Sequence, residues 1–368
     1  MRPVLKPVLK PALARTWRDT ETLQFGAVHR HARVVERADT AVCSFLSLLD
    51  GTRERPALLA AGERLGLGRD PTGDLLDDLE KGGLLDDAAA TWEALECYPQ
   101  PRRELLGPDL ASLSLVRPEP GAGPAALRGR AAARVEVRGA GRVGSAVAAA
   151  LAAGGVGIVT VVDTGRVTPG DCSPAGLAPT EVGRLRATAA RESVQRAAGF
   201  APGGSRTAAA GRSAPPPTLV VLAPRSGSGA FAGGAYGARP LMRAGVPHLY
   251  TGVVEHLGVV GPLVLPGTSA CGGCLAFART EEDPAWPRLL PQLAEDGPGP
   301  ARTPACDGAL ATAVAGLAAL HVLLHLDGTG PPSVDGWCEL SAADGMARRL
   351  RLRPHPDCGC QWQPGAPA

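Results

Sequence analysis

The 368-residue chain is nearly without lysine: Lys6, Lys10 and Lys81 are the only ones, and residues 82–368 contain none. No phosphate-binding lysine can therefore lie beyond residue 81, and arginine must carry the basic chemistry there. Aromatic residues make up only 4%, which argues against a base-stacking surface. There is little excess charge of either sign. With 38 basic and 36 acidic residues the formal net charge is +2, and no global field draws the chain to nucleic acid or to a membrane. The opening MRPVLKPVLKPAL is broken by three prolines and has no secretory pattern. The longest apolar run, residues 309–326, is interrupted by Thr312, His321 and His325 and bracketed by Asp307 and Asp327. It reads as a buried helix rather than a bilayer span. Nine cysteines are an odd number, so a reducing cytoplasmic setting is expected, where paired cysteines read as metal ligands.

What is present is a globular composition, 45% hydrophobic and 20% charged, long enough for two domains. Residues 1–90 combine short alternating stretches with three helical patterns. Leu23-Gln24-Phe25 and Arg33-Val34-Val35-Glu36 read as strands. Residues 41–49, 55–65 and 72–81 read as helices, the last carrying Leu75, Leu76 and Leu79 and stopping at Gly82-Gly83. This order suggests a small α+β winged helix-turn-helix domain. Residues 91–129 are rich in Pro and Gly and read as a linker or docking arm. Residues 130–368 alternate strand and helix patterns, the mark of an α/β fold with a doubly wound sheet. Within them, residues 201–217 are low-complexity and read as a surface loop.

Two motifs carry chemistry. Residues 134–138 read as a strand that enters Gly139-Ala-Gly141-Arg-Val-Gly144, followed by a helix over 145–153. A second strand, 158–162, ends in Asp163, 19 residues after Gly144. Such glycines let the backbone approach a phosphate at a helix N-terminus, and the acidic residue can accept from ribose hydroxyls. The same glycines also serve close strand–helix packing. The second motif is Cys271-Gly-Gly-Cys274 with Cys358-Gly-Cys360, two tight pairs that match a structural, tetrahedral Zn²⁺ site. A redox pair is the alternative for the first of them. Cys43, Cys97, Cys172 and Cys338 read as ordinary packed thiols. Cys306 precedes the 309–326 helix, where a thiol can be activated, but packing at the cap is the preferred reading. His321 and His325 lie four apart on that helix with no glutamate beside them, and read as core or helix-edge residues rather than a metal site.

The order of these elements resembles the ThiF/ubiquitin-activating (adenylating) superfamily over about residues 130–360. The resemblance rests on GAGRVG, AAGGVGIVTVVD, EVGRLRA, LVVLA, VPHLYTGVVEHLGVVGPLVLPGTSACGGC and the final CGC. It implies a Rossmann-like ThiF-type sheet and completes a four-cysteine zinc site. It also implies ATP as the ligand of Gly139, Gly141, Gly144, Asp163 and Arg186. The superfamily's adenylation residues are changed here. By register its Asn and Arg finger fall at Asp171 and Pro174, its phosphate-binding Lys at Arg186, and its Mg²⁺-linked Asp at Pro224-Arg225. Adenylation depends on neutralising phosphate charge, so these changes imply a degenerate fold kept as a scaffold.

Residues 1–90 have their own resemblance. DGTR with an apolar helix, then LLDDLEKGGLL, resembles the PqqD-type peptide-recognition element of ribosomal-peptide biosynthesis. The fusion resembles the leader-binding partner of YcaO cyclodehydratases, which form azol(in)e heterocycles. The resemblance implies a leader peptide added as a strand beside Arg33, Val34, Val35 and Glu36 and packed on Leu75, Leu76 and Leu79. A YcaO-type cyclodehydratase and a flavin dehydrogenase are the partner enzymes it suggests, with a homodimer as a family expectation. The expectation is thus an accessory subunit that is not itself catalytic. The alternative is an adenylyltransferase acting on a peptide or carrier-protein carboxylate. A DNA-binding reading meets the acidic third helix region, where residues 70–87 hold six aspartates and Glu80 against Lys81. A nicotinamide dehydrogenase accounts for neither the four cysteines nor the winged unit.

Overall fold

The computed structural model describes residues 6–28, 32–96, 98–200, 215–225, 237–294 and 305–361. Cys97 and residues 201–214 of the low-complexity segment lie outside them. The chain divides into two compact units, Met1–Gly129 and Arg130–Ala368.

The first unit carries two small antiparallel sheets. Strand β1 (Pro7–Leu9) pairs with β5 (Leu85–Asp87), and β2 (Arg15–Trp17), β3 (Leu23–Phe25) and β4 (Arg33–Val35) form a sheet in that order. Proline heads β1, a position where its missing N–H costs no ladder bond. Helix α1 (Thr40–Ser47) begins where the Asp39 carboxylate accepts from the Val42 N–H at 2.8 Å. Helix α2 (Arg55–Arg64) has proline in its first turn, and α3 (Arg69–Lys81) runs to Gly82 before Gly83 turns the chain at φ +71. Phe25, Phe45, Leu58, Leu76, Leu79, Leu84 and Leu85 form the core of these elements. The apolar positions of α3 follow helical spacing, so its acidic residues fall to the outside.

The segment expected as a linker or docking arm is largely helical. Residues 88–132 form α4 (Ala88–Glu96), α5 (Gln100–Val116) and α6 (Ala122–Ala132). Proline sits in the first turn of α5, where it does not break a helix. Leu106, Leu110 and Leu113 recur at i, i+4 and i+7 and pack on Ala126 and Leu127. Lys10 explains part of the remaining order. Its Nζ is buried, donates to the carbonyls of Ser114 (2.7 Å) and Pro118 (3.0 Å), and is attracted by Asp86. Asp86 in turn accepts from the Ser114 hydroxyl and the Gly121 N–H.

The second unit is built on a seven-stranded mixed sheet. Strands β6 (Arg134–Arg138), β7 (Ile158–Val162), β8 (Leu219–Leu222) and β9 (His248–Val254) are parallel, in the order β7-β6-β8-β9. The sheet is extended antiparallel by β10 (Leu257–Val264), β11 (Gly336–Ser341) and β12 (Ala347–Arg351). Helices α7 (Arg142–Ala153) and α8 (Arg186–Ala197) form the crossovers around β7, and α9 (Arg239–Arg243) precedes β9. Helices α10 (Gly272–Glu282) and α11 (Trp286–Ala294) follow β10. Helix α12 (Gly308–Leu326) is the one helix among the described residues long and apolar enough to cross a membrane. Here it packs against α7, β9 and β10, burying Leu310, Val314, Ala318 and Val322 in the main core. His321 joins that buried face with its Nδ1 2.9 Å from the Ser333 hydroxyl, a packed histidine with a hydrogen-bond partner.

Candidate functional site

The glycine turn lies at the carboxyl ends of the parallel strands, between β6 and α7. Gly139 has φ +105, and a Cβ there would strike the Ala223 carbonyl. A Cβ on Gly144 would strike the Gly139 carbonyl. These two glycines allow the strand, the turn and the helix to pack closely. Gly141 faces Arg225, whose backbone and side-chain carbons would lie 3.4–3.7 Å from an added Cβ.

Asp163 follows β7, and both oxygens of its carboxylate accept from groups of the chain itself. Oδ2 accepts from the Ala140 N–H (2.9 Å); Oδ1 accepts from the Gly165 N–H (2.8 Å) and from Arg186 Nε (2.9 Å). The Arg186 guanidinium lies over Gly165, which has no side chain to obstruct it. Its Nη1 donates to the Arg166 carbonyl (2.9 Å) and to Asp171 Oδ2 (3.4 Å). Asp171 is 1% exposed and also accepts from Arg225 Nε at 2.6 Å and from the N–H and hydroxyl of Thr168 at 2.8 Å each. Burial raises the Asp171 pKa, but the Arg225 and Thr168 donors outweigh it and hold the carboxyl below its ordinary range. Arg225 Nη2 completes the network on Thr168 Oγ1 at 2.9 Å.

Two carboxylates and two guanidiniums thus neutralise one another beside the glycine turn. Arg186, expected at a phosphate, is paired with Asp163, expected at a ribose. Arg142 spans the opening of α7, with Nε on the Gly170 carbonyl (2.9 Å) and Nη1 on the Cys306 carbonyl (2.6 Å). Burial pushes the Cys306 thiol up, away from the thiolate that a nucleophile needs. Pro174, where the resemblance sets an arginine finger, offers no donor.

The sequence reading did not anticipate the Asp171–Arg225 pair. A signal existed in the resemblance: it sets Asp171 where an Asn is expected and Arg225 where an Asp is expected. Two neighbouring positions whose charges change in opposite senses are candidates for an ion pair.

Cys271, Cys274, Cys358 and Cys360 come together with all four sulfurs within 4.8 Å of one another. Sulfurs bound at about 2.3 Å around one tetrahedral Zn²⁺ would lie roughly 3.8 Å apart. The observed Cys271–Cys274, Cys271–Cys358 and Cys274–Cys360 separations are 3.9, 3.5 and 3.4 Å. The four-thiol cluster therefore fits a metal such as zinc. Cys271 caps α10, and its sulfur accepts from the Gly273 N–H (3.3 Å); the His355 N–H donates to Cys274 Sγ (3.3 Å). Gly273 has no side chain because Cys358 Sγ would lie 2.8 Å from its Cβ. Gly359, at φ +66, reverses the chain so that Cys360 follows Cys358 into the cluster. Hydrogen bonding from Cys271 pulls the Cys274 pKa down to about 4, while burial pushes Cys358 upward and Cys360 up to about 12. Full ionisation of the cluster calls for a cation.

In the first unit, the expected peptide edge and the expected peptide pocket part company. β4 is an outer strand; Arg33, Val34 and Glu36 are exposed and Val35 packs partly on the core. Leu75 is half-buried, but Leu76 and Leu79 are 0% and 1% exposed. Leu76 and Leu79 belong to the core cluster that also holds Phe25 and Phe45, because α3 must bury one stripe, and of the three leucines Leu75 is the one left partly open.

Comparison with known proteins bears on the second unit first. Residues 120–202 match the ThiF family. No curated protein sequence matches the chain. Among solved structures the chain is similar to E. coli MccB with ATP, at 15% identity over 97% of this chain and 99% of that one, with a TM-score of 0.68. It is similar to the microcin C7 biosynthetic enzyme MccB in complex with N-formylated MccA, at 15% identity over 97% and 100%, with a TM-score of 0.67. It also resembles selenomethionine PaaA, at 16% identity over 93% and 99%, with a TM-score of 0.62. The architecture is a ThiF-type Rossmann-like mixed sheet with a four-cysteine cluster and a small N-terminal β/α region. The ThiF-like turn thus carries its glycines but surrounds them with an internal ion-pair network.

Proposed function

We propose that this protein is a peptide-binding scaffold of ribosomal-peptide modification. In this reading it captures the leader of a precursor peptide and presents the core to a YcaO-type cyclodehydratase, with a flavin dehydrogenase as a further partner. One observation carries the proposal: Asp163, Arg186, Asp171 and Arg225 bond to one another where an adenylating site would hold nucleotide and Mg²⁺. Binding ATP would require these three ion pairs to open, with no lysine in the unit to replace them. The complexes of MccB with MccA support a peptide as the molecule recognised. The leader would add to β4. In an antiparallel ladder alternate residues exchange both bonds with the neighbour. Arg18 and Gly26 bond across β2 and β3, which turns Gln24 toward β2 and leaves the N–H and C=O of Val34 pointing outward from β4. Zinc, held by Cys271, Cys274, Cys358 and Cys360, would be structural, tying the C-terminal residues to α10.

The second reading is an adenylyltransferase acting on a peptide or carrier-protein carboxylate. MccB structures with ATP and with AMPCPP, on a similar fold, favour it. Arg186 would then have to leave Asp163 for a phosphate. Calorimetric titration of the whole chain with ATP and Mg²⁺ separates the two. The scaffold reading expects no heat up to millimolar ATP. Micromolar binding, with peptide-dependent exchange of pyrophosphate into ATP, would overturn it.

A further inference from the structure

The first unit has a groove distinct from the β4 edge. It has a volume of about 720 Å³ and opens to solvent between β2 and α1. Trp17, 54% exposed, forms one wall. Thr40, Ser44 and Ser47, on one face of α1, form the other, and Glu21 and Asp39 also line it.

Resting on the peptide-binding reading, we propose that this groove takes a basic segment of an extended peptide, which adds as a strand to β2. Three observations converge on that occupant. The first is the backbone. The bonds Gly26 N–H to Ala14 O and Arg18 N–H to Thr22 O set the alternation of the β2–β3 ladder. Residues 14, 16 and 18 therefore bond toward β3, and Arg15 and Trp17 present their N–H and C=O groups outward. No strand pairs with that edge among the described residues.

The second is the side chains. A peptide residue opposite Trp17 would project to the same face as the indole, into the groove. That face offers an aromatic surface with two carboxylates close by, which suits a guanidinium or an ammonium. Glu21 and Asp39 form no ion pair among the described residues, and Asp39 spends one oxygen on the Val42 N–H. Arg15, the one cation on the same face of β2, is turned onto the Phe25 ring at 5.9 Å.

The third is length. Helix α1 has 8 residues, so it runs about 12 Å at 1.5 Å per residue. An extended peptide covers that distance in roughly four residues at about 3.3 Å each. Two alternate side chains then face the groove, matching the two carboxylates. The inferred specificity is for a basic residue at every second position.

The test uses the full chain and two fluorescein-labelled probes, Val-Arg-Val-Arg-Val and Val-Glu-Val-Glu-Val, with blocked termini, read by anisotropy. The basic probe should bind, and the acidic probe should bind about tenfold more weakly or worse. Trp17→Ala and Glu21→Gln should each weaken the basic probe by about tenfold at unchanged melting temperature, because both side chains are exposed; Trp17→Phe should restore most of the affinity. Val34→Pro, which removes the outward N–H of β4, should leave the basic probe unaffected. If Val34→Pro abolishes binding while Trp17→Ala does not, the groove proposal falls and peptide capture at β4 stands. Equal binding of both probes, or of neither, also overturns the groove proposal; the scaffold reading still answers separately to the nucleotide titration.

Discussion

Arg186 Nε lies 2.9 Å from Asp163 Oδ1, so the residue expected at a phosphate is paired with the residue expected at a ribose. Their side chains are 13% and 7% exposed, so the pair is largely withdrawn from water. Removing one partner of a buried pair leaves the other desolvated and unpaired. Asp163→Ala should therefore cost about 3–5 kcal/mol, read as a lower urea midpoint at constant m-value. A loss under 1 kcal/mol, on the order of a surface pair, would mean water reaches the network.

Asp171 and Arg225 should act as one unit. Thermal melts of Asp171→Ala, Arg225→Ala and the double variant should show a coupling of about 1 kcal/mol, modest because Arg225 is partly exposed. Strict additivity would mean that the two residues hold separate parts of the loop.

The cysteine cluster should contain one tightly held zinc by elemental analysis. Chelation, Cys274→Ser and Gly273→Ala should each lower the melting temperature, the last because Cys358 Sγ occupies the space a methyl group would need. An unchanged melt in a verified zinc-free sample would remove the structural role.

Leu79→Ala should destabilise the first unit by about 2–5 kcal/mol, as expected of a core leucine, and a leader peptide should not rescue it. Stability near wild type together with a lost peptide interaction would return Leu79 to the binding surface.

Acid should weaken the second unit through its buried histidines. Burial depresses the pKa of His248, His321 and His325 below the ordinary 6.5. The unfolded chain therefore binds protons that the folded chain refuses, and stability complete above pH 6.5 declines as pH falls below it. With zinc saturating, His321→Gln should flatten the decline in melting temperature from pH 7 to pH 5. An identical slope in the variant would assign the acid sensitivity to other groups.

Much of this protein is local and so legible along the chain. The glycine turn between two apolar strands, the helix after it and the paired cysteines follow from spacing alone, because each depends on neighbours only a few residues away. α5 and α6 escaped that reading: prolines read as breaks, yet Pro101 opens α5 and Pro108 lies inside it, and only the packing of Leu106 and Leu110 with Leu127 marks the segment as helix. Leu75, Leu76 and Leu79 look alike in sequence, and the packing of α3 alone makes two of them core. Lys10, a scarce lysine beside prolines, gives no sign that its ammonium is buried on two carbonyls more than a hundred residues away. The sequence by itself determined which charged residues stand around the glycine turn and at what spacing. Only the tertiary structure decided that Asp163, Arg186, Asp171 and Arg225 answer one another, because whether a charge is free or paired depends on distance through space, which the order of residues does not state.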